Sequence, residues 1–356
     1  MKIGILTFHR ALNYGAVLQA YALQDYLRKQ GLDAKIIDYR QPFIESQYAC
    51  FSIRRCLSKN PLIFIYHIMR EILNLNNRIG KKRHFRNFSK KYLRVTSKVF
   101  HKDEIPQDMD LYLHGSDQIW NAKLTGGYDL VYFGKYPTKH GLKASYAASM
   151  ENREYTKSDG KIISEGLAFL DVISVREKGL IKLLKPYTEK NIVQVVDPTL
   201  LTDRVTWDAI VSSVQEEEEY IFIYVVGIQN NQKVRCLATK VANRLGVKKN
   251  IDCKEKGLSP EEFVSYIKNA KFIITDSFHA TVFSIIYHRD FYTVASNLGS
   301  DLRFTSLLDS IGLEDRVVYD NVRTVDYIDY RKLKIDERLS LYTLASKQFL
   351  QNILNK

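Results

Sequence analysis

The chain has 356 residues and a formal net charge of +13, with 45% hydrophobic and 26% charged residues. Those proportions are ordinary for a folded globular protein, and they exclude a disordered tail, a collagen-like repeat and a polytopic membrane protein. No run reaches the roughly 18 apolar residues that span a bilayer, and at roughly 150 residues per domain the length suggests two domains.

Lys2 to Phe8 (KIGILTF) has the pattern of a buried strand. It has no charged-apolar-small cleavage signal before it, so secretion is not expected. Gly15 to Gln30 has helical spacing, and Asp33 to Tyr39 reads as a second strand. The segment from 54 to 98 is expected to form two helices. Strand patterns follow at Leu111 to His114, Leu142 to Ala148, Asp171 to Val175 and Asn191 to Val196, with a helix at Arg176 to Leu184. Asp197-Pro198 is a turn signal, and the acidic run Glu216 to Glu219 reads as a solvated loop. The alternation then restarts: strand Tyr220 to Val226, helix Asn231 to Leu245, strand Val247 to Ile251, helix Ser259 to Asn269. Strand Lys271 to Thr275, helix Ser277 to Tyr287, strand Phe291 to Ala295 and helix Ser300 to Ile311 come next. Tyr330 to Asn355 reads as one long helix. Two successive strand–helix series imply an α/β protein with two Rossmann-like domains, their parallel sheets covered by helices on both faces. The expected division is 1–203 for the first domain, 204–325 for the second and 326–356 for a helical tail. A ligand is expected in the cleft between them, beyond the carboxyl ends of the strands.

The charge is uneven. Residues 54 to 98 hold thirteen Lys and Arg against one acid, Glu71, so nearly the whole excess lies there. The same segment carries the apolar run Pro61 to Met69. A basic, partly amphipathic stretch reads either as a surface that meets anionic lipid or as a solvated helical face around a buried stripe. No zinc-finger, RNP-like or cold-shock pattern accompanies it, so nucleic acid is not expected as a partner. Four irregularly spaced cysteines (Cys50, Cys56, Cys236 and Cys253) form no CxxC pair or zinc spacing, which fits a reducing cytoplasm.

Four strand ends carry candidate chemistry. Asn13, Tyr14 and Gly15 stand at a helix start, where free N–H groups favour an anion or sugar oxygens. His114 to Asn121 (HGSDQIWN) delivers Ser116, Asp117 and Gln118 beside Trp120. Trp120 is either a platform for a sugar ring or a core residue. Arg176 follows a strand, where its guanidinium can fork onto a carboxylate or phosphate; the alternative is a pairing with Glu177. Lys271 to Tyr287 places the cap residues Asp276-Ser277 at a strand end and His279 in the first helical turn. A histidine there is positioned for proton transfer.

In order, the segments GILTFHRALNYGAVLQAYAL, GSDQIWN, SVREKG, VVDPTLL, TDSFHATVFSIIY and RFTSLLDSIGLEDR resemble the polysaccharide pyruvyl transferase family. The resemblance implies a GT-B-like fold with the acceptor on the first domain and the donor on the second. It also implies transfer of pyruvyl from phosphoenolpyruvate to a sugar as a cyclic ketal, the acceptor often being carried on a polyprenyl diphosphate. His279 then matches the motif histidine, as acid or phosphate ligand, and Arg176 the anion-binding arginine. Some members carry a basic residue where this chain has Ser277, so Arg303 and Lys178 are expected to help hold the donor. Asp117 is expected as base or hydroxyl ligand, and Asn13, Tyr14, Gly15, Ser116, Gln118 and Trp120 as the acceptor pocket. No metal or cofactor is required by such a reaction. The expected location is cytoplasmic, with peripheral contact of 54–98 at the inner membrane face. A GT-B glycosyltransferase using a nucleotide sugar is the rival reading, because fold does not imply function.

Overall fold

The computed structural model describes residues 1–53, 56–57, 60–151, 153–214, 216–227, 229–296, 302–319 and 324–356. Arg54, Arg55 and Lys59 of the basic segment, and residues 300–301 expected to open a helix, lie outside this set. The first half contains β1 (Lys2–Leu6), α1 (Tyr14–Lys29), β2 (Asp33–Tyr39), α2 (Pro42–Gln47), α3 (Pro61–Leu73), α4 (Leu75–Tyr92) and β3 (Val95–Val99). It continues with β4 (Leu111–His114), α5 (Ala122–Thr125), β5 (Leu142–Ser145), α6 (Lys157–Ala168), β6 (Ile173–Val175), α7 (Lys178–Leu184), β7 (Ile192–Gln194) and α8 (Arg204–Asp208). The second half contains β8 (Tyr220–Tyr224), α9 (Asn231–Leu245), β9 (Lys249–Asp252), α10 (Cys253–Lys256), α11 (Pro260–Asn269) and β10 (Phe272–Thr275). It closes with α12 (Phe278–Ile286), β11 (Asp290–Val294), α13 (Leu302–Ile311), β12 (Val317–Val318) and α14 (Ile335–Leu354).

The first sheet has the order β3-β2-β1-β4-β5, all parallel. The pair β6-β7 extends it through a bridge from Ala144 to Val172. The second sheet has the order β12-β11-β10-β8-β9, also parallel. Central strands such as YIFIY (β8) and FIIT (β10) are buried at every position. Helices cover both faces of a parallel sheet, so such strands are continuously apolar rather than alternating. This is an α/β fold with two parallel sheets and a C-terminal helix, as the strand–helix alternation predicts.

The halves share one core. Tyr14, in the first turn of α1, stacks on Phe263 of α11 with ring centroids 4.4 Å apart, and its hydroxyl donates to the Leu258 carbonyl at 2.8 Å. Trp207 sits between Tyr21 of α1 and Phe283 of α12 and is fully buried. The tail helix α14 returns to the first half, where Ser346 accepts the Val196 N–H at 2.8 Å. Burial of each such large apolar side chain contributes roughly 1.5–3 kcal/mol.

Beyond the expected series stand α2, α5, α6, α8, α10, β3 and β12. β3 is short, polar and at the sheet edge, and it closes the basic segment as a strand, not a helix. α6 contains two glycines, which dilute its helical pattern, but Thr156 and Asp159 form a capping box at its start. The acidic run also needs correction. The Glu216 side chain is only 5% exposed and is paired with Lys249 and Lys256, while Glu217 to Glu219 are exposed. Among the described residues, no helix is long and apolar enough to cross a membrane.

Candidate active site

The carboxyl ends of β1, β4, β6, β7 and β10 bring a buried polar cluster together around Asp197. This residue follows β7 in the Asp-Pro turn and is 1% exposed. One carboxylate oxygen accepts from the Thr199 N–H at 3.1 Å and its hydroxyl at 2.7 Å. The other accepts from Ser116 Oγ at 3.1 Å and Arg176 Nη1 at 2.8 Å, with His279 Nε2 3.6 Å away. Arg176 Nε donates to Glu177 at 2.9 Å, and the same Glu177 oxygen accepts from Ser149 at 3.0 Å. Burial alone would raise the Asp197 carboxyl, but His279 and Arg176 outweigh it and hold the group far below the usual carboxylate range. Burial works against the Arg176 charge, and Glu177, Asp197 and Asp117 together raise it further.

His279 reaches this cluster from the second half of the chain. Ser277 caps α12 by accepting the Ala280 N–H at 3.4 Å, which leaves His279 in the first turn. Its ring packs under Gly15 at the start of α1, where a Cβ would overlap the imidazole. Glycine is required there for close approach, not for an unusual backbone angle. Arg176 Nη2, Glu177 Oε2 and His279 Nε2 are buried without hydrogen-bond partners. Buried polar atoms are nearly always satisfied, so these two nitrogens and one carboxylate oxygen are open to a small polar group such as a water.

Several expected roles are corrected. Trp120 is 1% exposed, stacks on Phe133 and donates its indole N–H to the Tyr132 carbonyl, so it is core rather than a sugar platform. Tyr14 is expected in the acceptor pocket, but its hydroxyl and ring are taken up by Leu258 and Phe263 of the second half. Ser116 is fully buried on Asp197, not on an acceptor surface. Arg176 does not open α7; Glu177 is its N-cap residue, and two of the Arg176 nitrogens already hold carboxylates. Lys178 is exposed and lines a separate cavity of about 600 Å³ with Glu177 and α13. Arg303 is half-buried in the first turn of α13.

The remaining expected residues are local. Asn13 caps α1 through the Ala16 N–H at 3.4 Å. Asp117, in a left-handed conformation at φ 75°, accepts the Gln118 N–H at 2.8 Å. Gln118 accepts from Asn121 at 3.2 Å. Asp197 and Glu177 were not picked as site residues. The signal for Asp197 was present, since it stands at a strand's carboxyl end like the other candidates, but Asp-Pro also reads as a turn.

Comparison with solved structures gives full-length likenesses at low identity. The UDP-GlcNAc 2-epimerase from Methanocaldococcus jannaschii is 12% identical, with 97% of this chain and 93% of that chain covered and a TM-score of 0.44. The heptosyltransferase of E. coli with ADP is 13% identical, covering 99% and 100%, at a TM-score of 0.38. A Streptomyces sp. glycosyltransferase is 11% identical, covering 97% and 96%, also at 0.38. No curated protein matches the chain. The family model described as Polysaccharide pyruvyl transferase matches residues 13–297, which include Gly15, Ser116, Arg176, Asp197 and His279. The chain belongs to the polysaccharide pyruvyl transferase family.

Proposed function

We propose that the protein transfers pyruvyl from phosphoenolpyruvate to two hydroxyls of a sugar in a polysaccharide precursor, forming a cyclic ketal. The observation that carries this reading is the convergence of His279, Arg176 and Asp197 with unpartnered polar atoms on the first two. Phosphoenolpyruvate brings a carboxylate and a phosphate, and Arg176 Nη2 is the donor aimed at one of them. His279 delivers a proton to the methylene carbon as one sugar oxygen bonds the central carbon. Ionised Asp197 orients the imidazole and balances charge. The first hydroxyl's proton leaves to a base, for which Asp117 is our candidate. The C–O bond to phosphate then breaks, phosphate departs with one proton, and the second hydroxyl closes the ring. One proton thus ends on the new methyl group and one on inorganic phosphate, so no oxidant or cofactor enters the balance.

We place the acceptor on a polyprenyl diphosphate and the protein at an anionic membrane surface. Leu62, Ile65, Tyr66, Met69, Ile72 and Leu73 of α3 are all more than half exposed. Only Glu71 of that helix is buried, held by Arg78 at 2.6 Å. Basic α4 follows directly, and an apolar face flanked by cations complements an anionic bilayer.

Phosphate release from phosphoenolpyruvate, followed with a panel of lipid-linked and free sugars, tests the reaction. Acceptor-dependent release with a product mass fitting a pyruvyl ketal is expected. Turnover only with nucleotide sugars would replace this reading by glycosyl transfer. Because Arg176→Ala would strand two buried carboxylates, His279→Gln is the cleaner variant. Sedimentation with phosphatidylglycerol vesicles tests the surface: Ile65→Glu with Met69→Glu should abolish binding, and equal binding by that variant would remove α3 from the membrane contact.

A further inference from the structure

A second cluster lies apart from His279. A cavity of about 300 Å³ opens beside the β1–α1 loop and is lined by His9, Arg10, Leu12, Arg40, Glu45, Lys82, Arg86 and Lys98, among others. Its cations come from four places: Arg10 from the loop after β1, Arg40 from the end of β2, Lys82 and Arg86 from α4, and Lys98 from β3. Five Lys and Arg face one carboxylate on the wall. Glu45 is bound by Arg10 at 2.8 Å, and Asp38 behind it by Arg40 at 2.7 Å and by His9 at 3.0 Å. These pairs fix Arg10 and Arg40 in place, and Arg40 Nε is still buried without a partner. Lys82 also acts on Glu45 through its charge, while Arg86 and Lys98 are exposed. The wall therefore carries excess positive charge on side chains held from opposite directions.

We infer that this cavity binds the diphosphate of the sugar acceptor. Two bridged phosphates spread their charge over several ångströms, which suits cations arrayed from β2, β3 and α4 around one volume. The position fits as well. The loop lining the cavity through Leu12 continues three residues on to Gly15, which touches His279. On the other side α4, which supplies Lys82 and Arg86, packs on α3 with its exposed apolar face. Tail, diphosphate and sugar of a lipid-linked precursor would thus meet α3, the cavity and His279 in the order in which they are joined. This assignment rests on the pyruvyl-transfer reading for its sugar, but a diphosphate site is testable without it.

Calorimetry at low salt with inorganic pyrophosphate, geranyl diphosphate, UDP and phosphoenolpyruvate tests the inference on the full chain. Arg86 is exposed and Lys82 half-buried, so Lys82→Glu and Arg86→Glu should fold; circular dichroism checks this, and Arg86→Gln is the milder substitute. Pyrophosphate and geranyl diphosphate are expected to lose at least tenfold in affinity in each variant, with phosphoenolpyruvate binding within twofold of the parent. Unchanged pyrophosphate affinity would overturn the assignment. An equal loss for phosphoenolpyruvate would also overturn it and make the cavity the donor site. Variant-sensitive binding of UDP without geranyl diphosphate would overturn the lipid source in favour of a nucleotide. Diphosphate binding without any phosphoenolpyruvate binding would leave the cavity standing and remove the pyruvyl-transfer reading.

Discussion

Around Asp197 each charged group lies within reach of an opposite one and nearly all are out of water, whereas in the cavity beside α4 Arg86 and Lys98 are exposed and Glu45 is the one carboxylate on the wall. Both clusters use the loops at the carboxyl edge of the first sheet. In the low effective dielectric of the first, a charge is tolerated only with its partner. In the second, water screens Arg86 and Lys98, so these two cations add little to stability and are available to an anion. The buried cluster therefore ties the two halves of the chain together. The open one is suited to capture.

Substitution should separate the two. The largest effect is expected for His279→Gln: a fall in turnover of about 10²–10⁴-fold if the ring acts as the acid, read by phosphate release, with the cooperative unfolding transition retained. Turnover within tenfold of the parent would remove His279 as proton donor. Asp197→Asn should cost about 3–5 kcal/mol in urea unfolding, because Arg176 would be left beside a neutral group in the interior. A cost below about 1 kcal/mol would show that solvent reaches the cluster.

Acid titration probes the cavity's own anchor. Burial alone would raise Asp38, but His9 and Arg40 hold it at about 2, against an ordinary 3.8. A depressed folded value stabilises the native state above the unfolded value, and that contribution disappears as pH falls from about 4 through 2. The expected loss is about 2 kcal/mol, absent in Asp38→Asn. Parallel pH curves for the two proteins would contradict this. Gly15→Ala should destabilise by about 1–3 kcal/mol through overlap with His279, and it should lower turnover by more than its stability cost explains. Smallest of all, Arg86→Ala should change unfolding by no more than about 0.5 kcal/mol. A larger loss would mean that the cation is structural and would blur the contrast.

Much of the site was legible because strand ends announce themselves locally. An apolar run stopping at Asp276-Ser277 fixes where α12 starts, and His279 follows from counting residues along its first turn. The same logic located Arg176, Ser116 and Gly15, although of their partners only Glu177, as the alternative for Arg176, could be read. Trp120 was misjudged because neighbouring polar residues say nothing about which way an indole turns; Phe133 and the Tyr132 carbonyl decide it. The exposed apolar side of α3 was likewise undecided, since periodicity marks a stripe without saying whether anything covers it.

Local chemistry along the chain therefore determined the α/β alternation, the starts of the helices that follow the main strands, the concentration of charge between 54 and 98 and the family membership. Periodicity and capping depend on residues a few positions apart, and so they are present in the linear sequence. Tertiary structure alone decided that Asp197 joins Ser116 and Arg176 of its own half to His279 of the other, and that Arg10, Arg40, Lys82, Arg86 and Lys98 line one cavity. Apart from Lys82 and Arg86, one turn apart on α4, most of those groups are separated by tens of residues or more. Only parallel pairing of β1, β2, β3 and β4, and the packing of α1 against α11 and α12, brings them within a few ångströms.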